Sequence, residues 1–215
     1  MSRRTAKTSS AMHSGRSVLI RLRFTILFLL AMLIANLLAG SLWHDLPGEV
    51  LANWGIGHDT VFSGEVFRVF TGIFLSHDAD MLARQLAFAA AVIGYAEWTY
   101  GTGTTALLFF GLDFAGSLML LACVGWAEGW VDLTAMNDVG MSIGGFGLIG
   151  VAIADFQRKW LLFFAILLAI AVKYGLGPDA LADGGHVLAL LLGFGVNRIL
   201  PSRAPIRLRG GRHAR

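Results

Sequence analysis

Charged residues are scarce in this sequence. Only 14% of its 215 residues are Asp, Glu, Lys or Arg, whereas soluble domains carry about a quarter. Because 56% of the residues are hydrophobic and the mean hydropathy is +0.67, the composition excludes an ordinary soluble protein. We predict an all-α integral membrane protein with a single membrane domain in contact with the lipid bilayer.

Cysteine and metal-binding patterns are scarce as well. The single cysteine, Cys123, lies in an apolar stretch and excludes an intrachain disulfide. No zinc-ligand spacing, phosphate-binding loop or internal repeat stands out in the sequence. We therefore expect the protein to use neither a metal nor another cofactor.

Six apolar stretches have the character of membrane spans, at 24–43, 81–96, 104–126, 140–154, 160–172 and 184–200. We expect one membrane domain over 24–200, flanked by basic cytoplasmic tails at 1–23 and 201–215. Twelve of the 17 Lys and Arg residues lie within 1–23 and 198–215. The positive-inside rule explains basic tails beside membrane spans, so no nucleic-acid partner is expected.

The charges of the loops predict the orientation in the membrane. With a cytoplasmic N-terminus, the loops 44–80, 127–139 and 174–183 lie outside and hold 11 of the 14 acidic residues, with Arg68 as their only Lys or Arg. An even number of spans returns the basic C-terminal tail to the cytoplasm. We predict a multi-pass protein of the cell membrane with both termini in the cytoplasm.

Ser142 and His186 are the candidate catalytic pair. Serine in a glycine-rich apolar stretch is most simply a packing residue. However, spans four and six run in the same direction, so Ser142 and His186, near their starts, lie at similar depth. Neutral imidazole is the usual base that activates a serine hydroxyl. Small residues on both spans would permit close packing: Gly145, Gly150, Ala189 and Gly193.

Two acidic residues lie close to the starts of these spans. Asp183 could orient His186, but we favour a role as the N-cap of span six, and Asp138 has the same expected role for span four. The free N–H groups at the start of span four could face a developing oxyanion.

The sequence resembles the rhomboid family of intramembrane serine proteases over roughly 66–200. The family's nucleophile motif, Gly-x-Ser-Gly followed by Gly-Leu-x-Gly, is matched without a gap, except that Ile143 stands at the second Gly. The matching residues are Gly140, Ser142, Gly147, Leu148 and Gly150. The family's His-x-x-Gly-x-x-x-Gly motif is matched by His186 and Gly193, with Ala189 at the first Gly. The resemblance implies that Ser142 is the nucleophile and His186 the general base.

A third block carries the same resemblance. The family's Trp-Arg-x-x-Thr loop and the Gly-x-x-Glu that ends its second span correspond to 67–71 and 94–97. Between them the family usually has a His and an Asn that donate to the oxyanion, and the register puts Met81 and Gln85 there. Gln85 can donate a hydrogen bond, whereas Met81 marks the position only. His77 could substitute for Met81, although an ordinary loop histidine is the simpler interpretation.

The resemblance implies a six-transmembrane-helix rhomboid-like bundle. The corresponding function is an intramembrane serine endopeptidase that cleaves a transmembrane protein substrate in or next to its membrane segment, with a Ser-His dyad that opens to the outer face. The departures at Ile143, Met81 and Gln85 leave open a rhomboid-like pseudoprotease that binds membrane helices without cleaving them. A small transporter is the third alternative, because Arg84 and Asp113 lie within spans. We expect these two residues to form a structural ion pair.

Other polar and aromatic residues of the spans fit the same membrane domain. Asn36 in span one is expected to hydrogen-bond to another helix. Tryptophans lie near the predicted membrane interfaces, where an aromatic belt is expected, at Trp43, Trp54, Trp126, Trp130 and Trp160.

Overall fold

The computed structural model of the protein describes residues 18–127 and 136–199. Most of the two predicted basic tails, and also Trp130, lie outside these residues. The described part is mostly helical, which confirms the predicted all-α class apart from one pair of two-residue strands.

The elements in chain order are α1 (Arg23–Ala39), α2 (Gly48–Trp54), β1 (Ile56–Gly57), α3 (His58–Phe62), α4 (Arg68–Gly72), α5 (Ala79–Tyr100), α6 (Thr102–Trp126), β2 (Asn137–Asp138), α7 (Ser142–Ala154), α8 (Lys159–Leu176), α9 (Ala180–Val196) and a 3₁₀ turn (Asn197–Ile199). A helix therefore forms at each of the six predicted apolar stretches. The short helices α2 to α4 belong to the predicted loop 44–80.

Three helices of the described part are long and apolar enough to cross a membrane, namely α6, α8 and the continuous segment Ala180–Ile199. Helices α1 and α7 are apolar but have only 17 and 13 residues, whereas a perpendicular crossing takes about 20. Helix α5 has 22 residues but carries Asp80, Arg84 and Glu97. The structure thus supports membrane association through three helices.

Glycines allow α7 and α9 to pack backbone against backbone. A β-carbon added to Gly193 would lie 1.9 Å from the carbonyl oxygen of Gly147, and one added to Gly150 would lie 2.4 Å from that of Leu190. The prediction that Gly150 and Gly193 permit close packing is confirmed. Gly145 has a different role, because its added β-carbon would lie 2.3 Å from the ring of Phe88 on α5.

Two buried polar side chains tie α1 to the rest of the bundle. Asn36 donates from Nδ2 to the carbonyl oxygen of Phe74 at 2.8 Å. Phe74 lies in the connection between α4 and α5, so Asn36 joins α1 to this connection and not to another helix as predicted. Glu97, near the end of α5, accepts hydrogen bonds from the backbone N–H groups of Phe24 and Thr25, each at 2.9 Å. Glu97 therefore satisfies N–H groups at the start of α1 that have no partner within the helix.

The predicted ion pair between Arg84 and Asp113 is wrong. Arg84 pairs with Asp80 one turn earlier on α5, and both side chains are largely exposed. Asp113 is 2% exposed and accepts a hydrogen bond from the Gly144 N–H at 2.8 Å. A carboxylate four residues away on the same helix is within easy reach of Arg84, so this arginine needs no partner on α6.

The segment before α7 is anchored to the short helices of the 44–80 region. Strands β1 and β2 are antiparallel, with Ile56 opposite Asp138 and Gly57 opposite Asn137. Within that region Arg68 is buried, pairs with Glu65 and donates to backbone oxygens of the α2 segment. This anchoring determines where the chain enters α7.

Candidate active site

Ser142 is the first residue of α7 and follows a sharp change in chain direction. Gly140, two residues earlier, has φ +133°, a conformation that residues with a side chain rarely adopt. The Gly140 N–H donates to the carbonyl oxygen of Gly72 at 2.9 Å. The glycine at the start of the motif is therefore required for the turn that delivers Ser142 to the helix.

Ser142 lines a small cavity between α6, α7 and the 137–140 segment. The cavity has a volume of about 40 Å³, and its polar lining includes Asp113, Ser117, Asp138 and Ser142. A single buried water needs at least about 10–15 Å³. The cavity therefore has room for a few water molecules at the level of Ser142.

His186 lies on α9 against the helix that carries Ser142. Its ring stacks on Phe146, one turn after Ser142, with centroids 4.2 Å apart and planes inclined by 20°. The side chain of Ile143 packs against Gly185, where an added β-carbon would lie 3.1 Å from Ile143 Cδ1. The immediate neighbours of Ser142 and His186 are thus in contact, and the two candidate residues lie at the same end of the α7–α9 pair.

The two candidate residues are not hydrogen-bonded in this structure. His186 Nε2 is buried and has no hydrogen-bond partner among the described residues. A buried ring nitrogen without a partner is uncommon in folded proteins. His186 therefore retains one ring nitrogen that is available to a hydroxyl group.

Asp183 is not the N-cap of α9, contrary to the prediction. Helix α9 begins at Ala180, and Asp179 is the N-cap, whose side chain accepts from the Ala182 N–H at 3.0 Å. Asp183 lies in the first turn of the helix. Its Oδ2 accepts from Lys173 Nζ at 2.9 Å, and its Oδ1 lies 3.9 Å from His186 Nδ1. The prediction failed because the helix begins four residues before the apolar run.

Asp138 is not the N-cap of α7 either. The N-cap position is occupied by Met141, which makes no side-chain capping bond. Asp138 instead accepts from the Val139 N–H at 2.8 Å and contacts His77 Nε2 at 3.0 Å. The carboxylate that serves the start of α7 is Asp113 of α6, through the Gly144 N–H. The sequence signal for this role was a lone carboxylate within an apolar span.

Gln85 and Met81 lie against the turn that precedes Ser142. A β-carbon added to Gly140 would lie 2.5 Å from Gln85 Nε2 and 3.2 Å from Met81 Cε. Gln85 Oε1 accepts from Ser76 Oγ at 2.9 Å, which leaves its NH₂ group on the side of Gly140. The two residues predicted to occupy the oxyanion-donor positions therefore contact Gly140, which precedes the candidate nucleophile by two residues.

His77 is paired with Asp138 in this structure, so its Nε2 is engaged and is not a donor in place of Met81. The hydrogen bond to Asp138 raises the pKa of His77 above its usual value, against a smaller opposite effect of partial burial, and the carboxylates of Asp78 and Asp179 add to the rise. His77 belongs to the contact that joins the start of α5 to the segment before α7.

Ile143 is accommodated by glycines on two neighbouring helices. A β-carbon added to Gly116 on α6 would lie 2.7 Å from Ile143 Cγ2, and one added to Gly185 on α9 would lie 3.1 Å from Ile143 Cδ1. The isoleucine that stands at the second glycine of the motif thus fills space that small residues on α6 and α9 leave free. Helix α7 begins one residue before Ile143 and continues through it.

No protein-family model matches the sequence, and no match to a curated protein was found. Within residues 18–127 and 136–199, no group of three or more His, Cys, Asp or Glu side chains could hold a metal ion.

Proposed function

We propose that this chain is a rhomboid-like intramembrane serine endopeptidase with six membrane spans and both termini in the cytoplasm. The observation that carries the proposal is the contact between the start of α7 and the first turns of α9. The Phe146–His186 stack and the Ile143–Gly185 contact hold the segments of Ser142 and His186 side by side. A cavity that can hold water borders Ser142.

In the proposed reaction, Ser142 Oγ attacks the carbonyl carbon of a peptide bond in or next to a transmembrane segment. His186 Nε2 accepts the hydroxyl proton as the new C–O bond forms. The tetrahedral intermediate collapses, the C–N bond breaks, and His186 returns the proton to the leaving amine. Water then hydrolyses the acyl-enzyme, with His186 again as the base.

The oxyanion of the intermediate would be stabilised at the start of α7. Asp113 occupies the Gly144 N–H, and among the described residues no acceptor binds the N–H groups of Ser142 and Ile143. The amide of Gln85 lies beside Gly140 and is a third donor within the same region. Each donor of this kind typically contributes about 10²–10³ in rate.

Covalent labelling with a fluorophosphonate probe tests this function in detergent and in liposomes. We expect labelling of the wild type, none of Ser142→Ala, and a rate reduced by about 10²–10⁴ in His186→Ala. Ser117→Ala is the matched control, because Ser117 lines the same cavity. Labelling that persists in Ser142→Ala, or a folded wild type that is never labelled, would contradict the proposal.

A pseudoprotease that binds membrane helices is the second candidate. Two observations favour it, namely the Met81 thioether at an oxyanion-donor position and the Asp113 carboxylate close to the amides at the start of α7. Folded wild-type protein that binds a transmembrane peptide in liposomes, but neither cleaves it nor reacts with the probe, would select this function. The transporter alternative was based on Arg84 and Asp113 as ionisable residues within spans. Arg84 pairs with Asp80 and both side chains are largely exposed, whereas Asp113 accepts from the Gly144 N–H.

A further inference from the structure

Asp183 is a buried carboxylate to which the proposed reaction of Ser142 and His186 has so far given no role. Its side chain is only 6% exposed, although buried carboxylates are rare unless they are paired. Oδ2 has two donors, Lys173 Nζ at 2.9 Å and the Asp179 N–H at 3.3 Å. Oδ1 is buried and has no hydrogen-bond partner among the described residues. An unpaired oxygen on a buried carboxylate calls for a specific explanation.

The ring of His186 supplies that explanation. His186 follows Asp183 by three residues and lies on the same face of α9. Its Nδ1 lies 3.9 Å from Asp183 Oδ1, about 1 Å longer than a hydrogen bond. Catalytic hydrogen bonds are often longer before substrate binds and tighten in the complex. The unpaired Nε2 is the other nitrogen of the same ring.

Lys173 determines which oxygen of Asp183 remains for the ring. Lys173 lies in the last turn of α8. The Lys173 ammonium takes Oδ2, so Oδ1 is the oxygen left beside His186. The neighbouring positive charge also offsets the cost of burying the carboxylate.

We propose that Lys173 and Asp183 are positioning residues for His186: the Lys173 ammonium holds the Asp183 carboxylate so that Oδ1 accepts the Nδ1–H of His186. The inference rests on the proposed function. A hydrogen bond at Nδ1 selects the neutral tautomer whose Nε2 carries the lone pair, and this lone pair accepts the proton of Ser142. When the ring becomes imidazolium, Asp183 stabilises its positive charge until the proton leaves with the amine.

Steady-state cleavage of a transmembrane peptide in liposomes tests the catalytic part. Asp183→Asn should lower kcat by at least about tenfold with KM unchanged, within the range known for loss of a base-orienting carboxylate. Lys173→Met should lower kcat in the same direction, and Lys173→Arg should restore it. Asp179→Asn is the matched control: it removes a carboxylate one turn earlier, and asparagine caps a helix as well as aspartate does.

The tautomer of His186 gives a readout that does not depend on activity. Nitrogen NMR of histidine-labelled protein, with His186→Gln to assign the signal among the six histidines, should report a protonated Nδ1 in wild type. Asp183→Asn and Lys173→Met should shift the signal toward the other tautomer, and Asp179→Asn should not. If Asp183→Asn does not fold, kcat and the His186 signal are both measured in Lys173→Met.

The two proposals fail in different ways. A folded wild type without cleavage or labelling overturns the protease, whereas the tautomer signal still tests the Asp183–His186 contact. The positioning role is overturned if Asp183→Asn and Lys173→Met match Asp179→Asn in kcat and leave the His186 signal unchanged.

Discussion

Replacing Gly193 with alanine tests the packing that supports the site. The new β-carbon would lie 1.9 Å from the Gly147 carbonyl oxygen, whereas ordinary contact begins at 3.4 Å. The obstacle is backbone on both sides, so α7 and α9 must separate by about 1.5 Å. Overpacking of this kind costs about 1–3 kcal/mol, and each kcal/mol lowers Tm by about 2–4 °C in a protein of this size.

Gly195→Ala is the matched control, because an added β-carbon there meets no atom within 4 Å. Alanine at this exposed helical position should raise the free energy of unfolding slightly. Thermal unfolding in detergent should therefore give a lower Tm for Gly193→Ala and an equal or higher Tm for Gly195→Ala. Gly193→Ala should also reduce probe labelling by about 10²-fold, because a displacement near 1 Å disrupts catalytic geometry. Equal Tm values for the two variants would refute the close crossing.

Three further predictions concern contacts around the site. The hydrogen bond to Asp138 raises the pKa of His77, so protonated His77 stabilises the fold below pH 6.5, and this stabilisation is lost as the pH rises through the raised pKa. Tm should therefore fall by about 1–3 °C between pH 6 and 8. His77→Gln should not show this fall. Gln85→Ala should lower the labelling rate by about 10²-fold, with Tm measured to exclude unfolding. Glu97→Ala leaves two backbone N–H groups of α1 without an acceptor and should lower the free energy of unfolding, measured by chemical denaturation, by about 2–6 kcal/mol. An unchanged free energy of unfolding would contradict the role of Glu97 at the start of α1.

The helices and their closest contact could be predicted because both follow from local rules. In a membrane, long apolar runs form helices because each segment must satisfy its own backbone groups, and glycines such as Gly150 and Gly193 are needed where two backbones touch. The short helices within 44–80 could not be delimited in the same way, because buried Arg68 and the β1–β2 pair organise them through contacts that are distant in sequence.

The acidic residues could not be assigned correctly from sequence because their roles depend on where each helix begins. Asp183 lies near the apolar run but inside the first turn, since α9 begins at Ala180 with Asp179 as its cap. Asp138 is held by His77, and the start of α7 is served by Asp113 from α6. A capping rule based on sequence distance does not find a donor and acceptor that are 31 residues apart.

The Asp113 contact has two opposing effects at the start of α7: it stabilises the helix, and it places an acidic group near the proposed oxyanion site. A carboxylate at a helix N-terminus stabilises the helix, and here it holds the Gly144 N–H within a glycine-rich segment of low helix propensity. An ionised Asp113 would oppose the oxyanion of the proposed reaction. The conflict is eased because Asp113 binds the third N–H of α7, and the amides of Ser142 and Ile143 have no acceptor among the described residues. Asp113→Asn would keep an acceptor for Gly144 and remove the ionisable group, so the protease proposal requires this variant to retain labelling of Ser142.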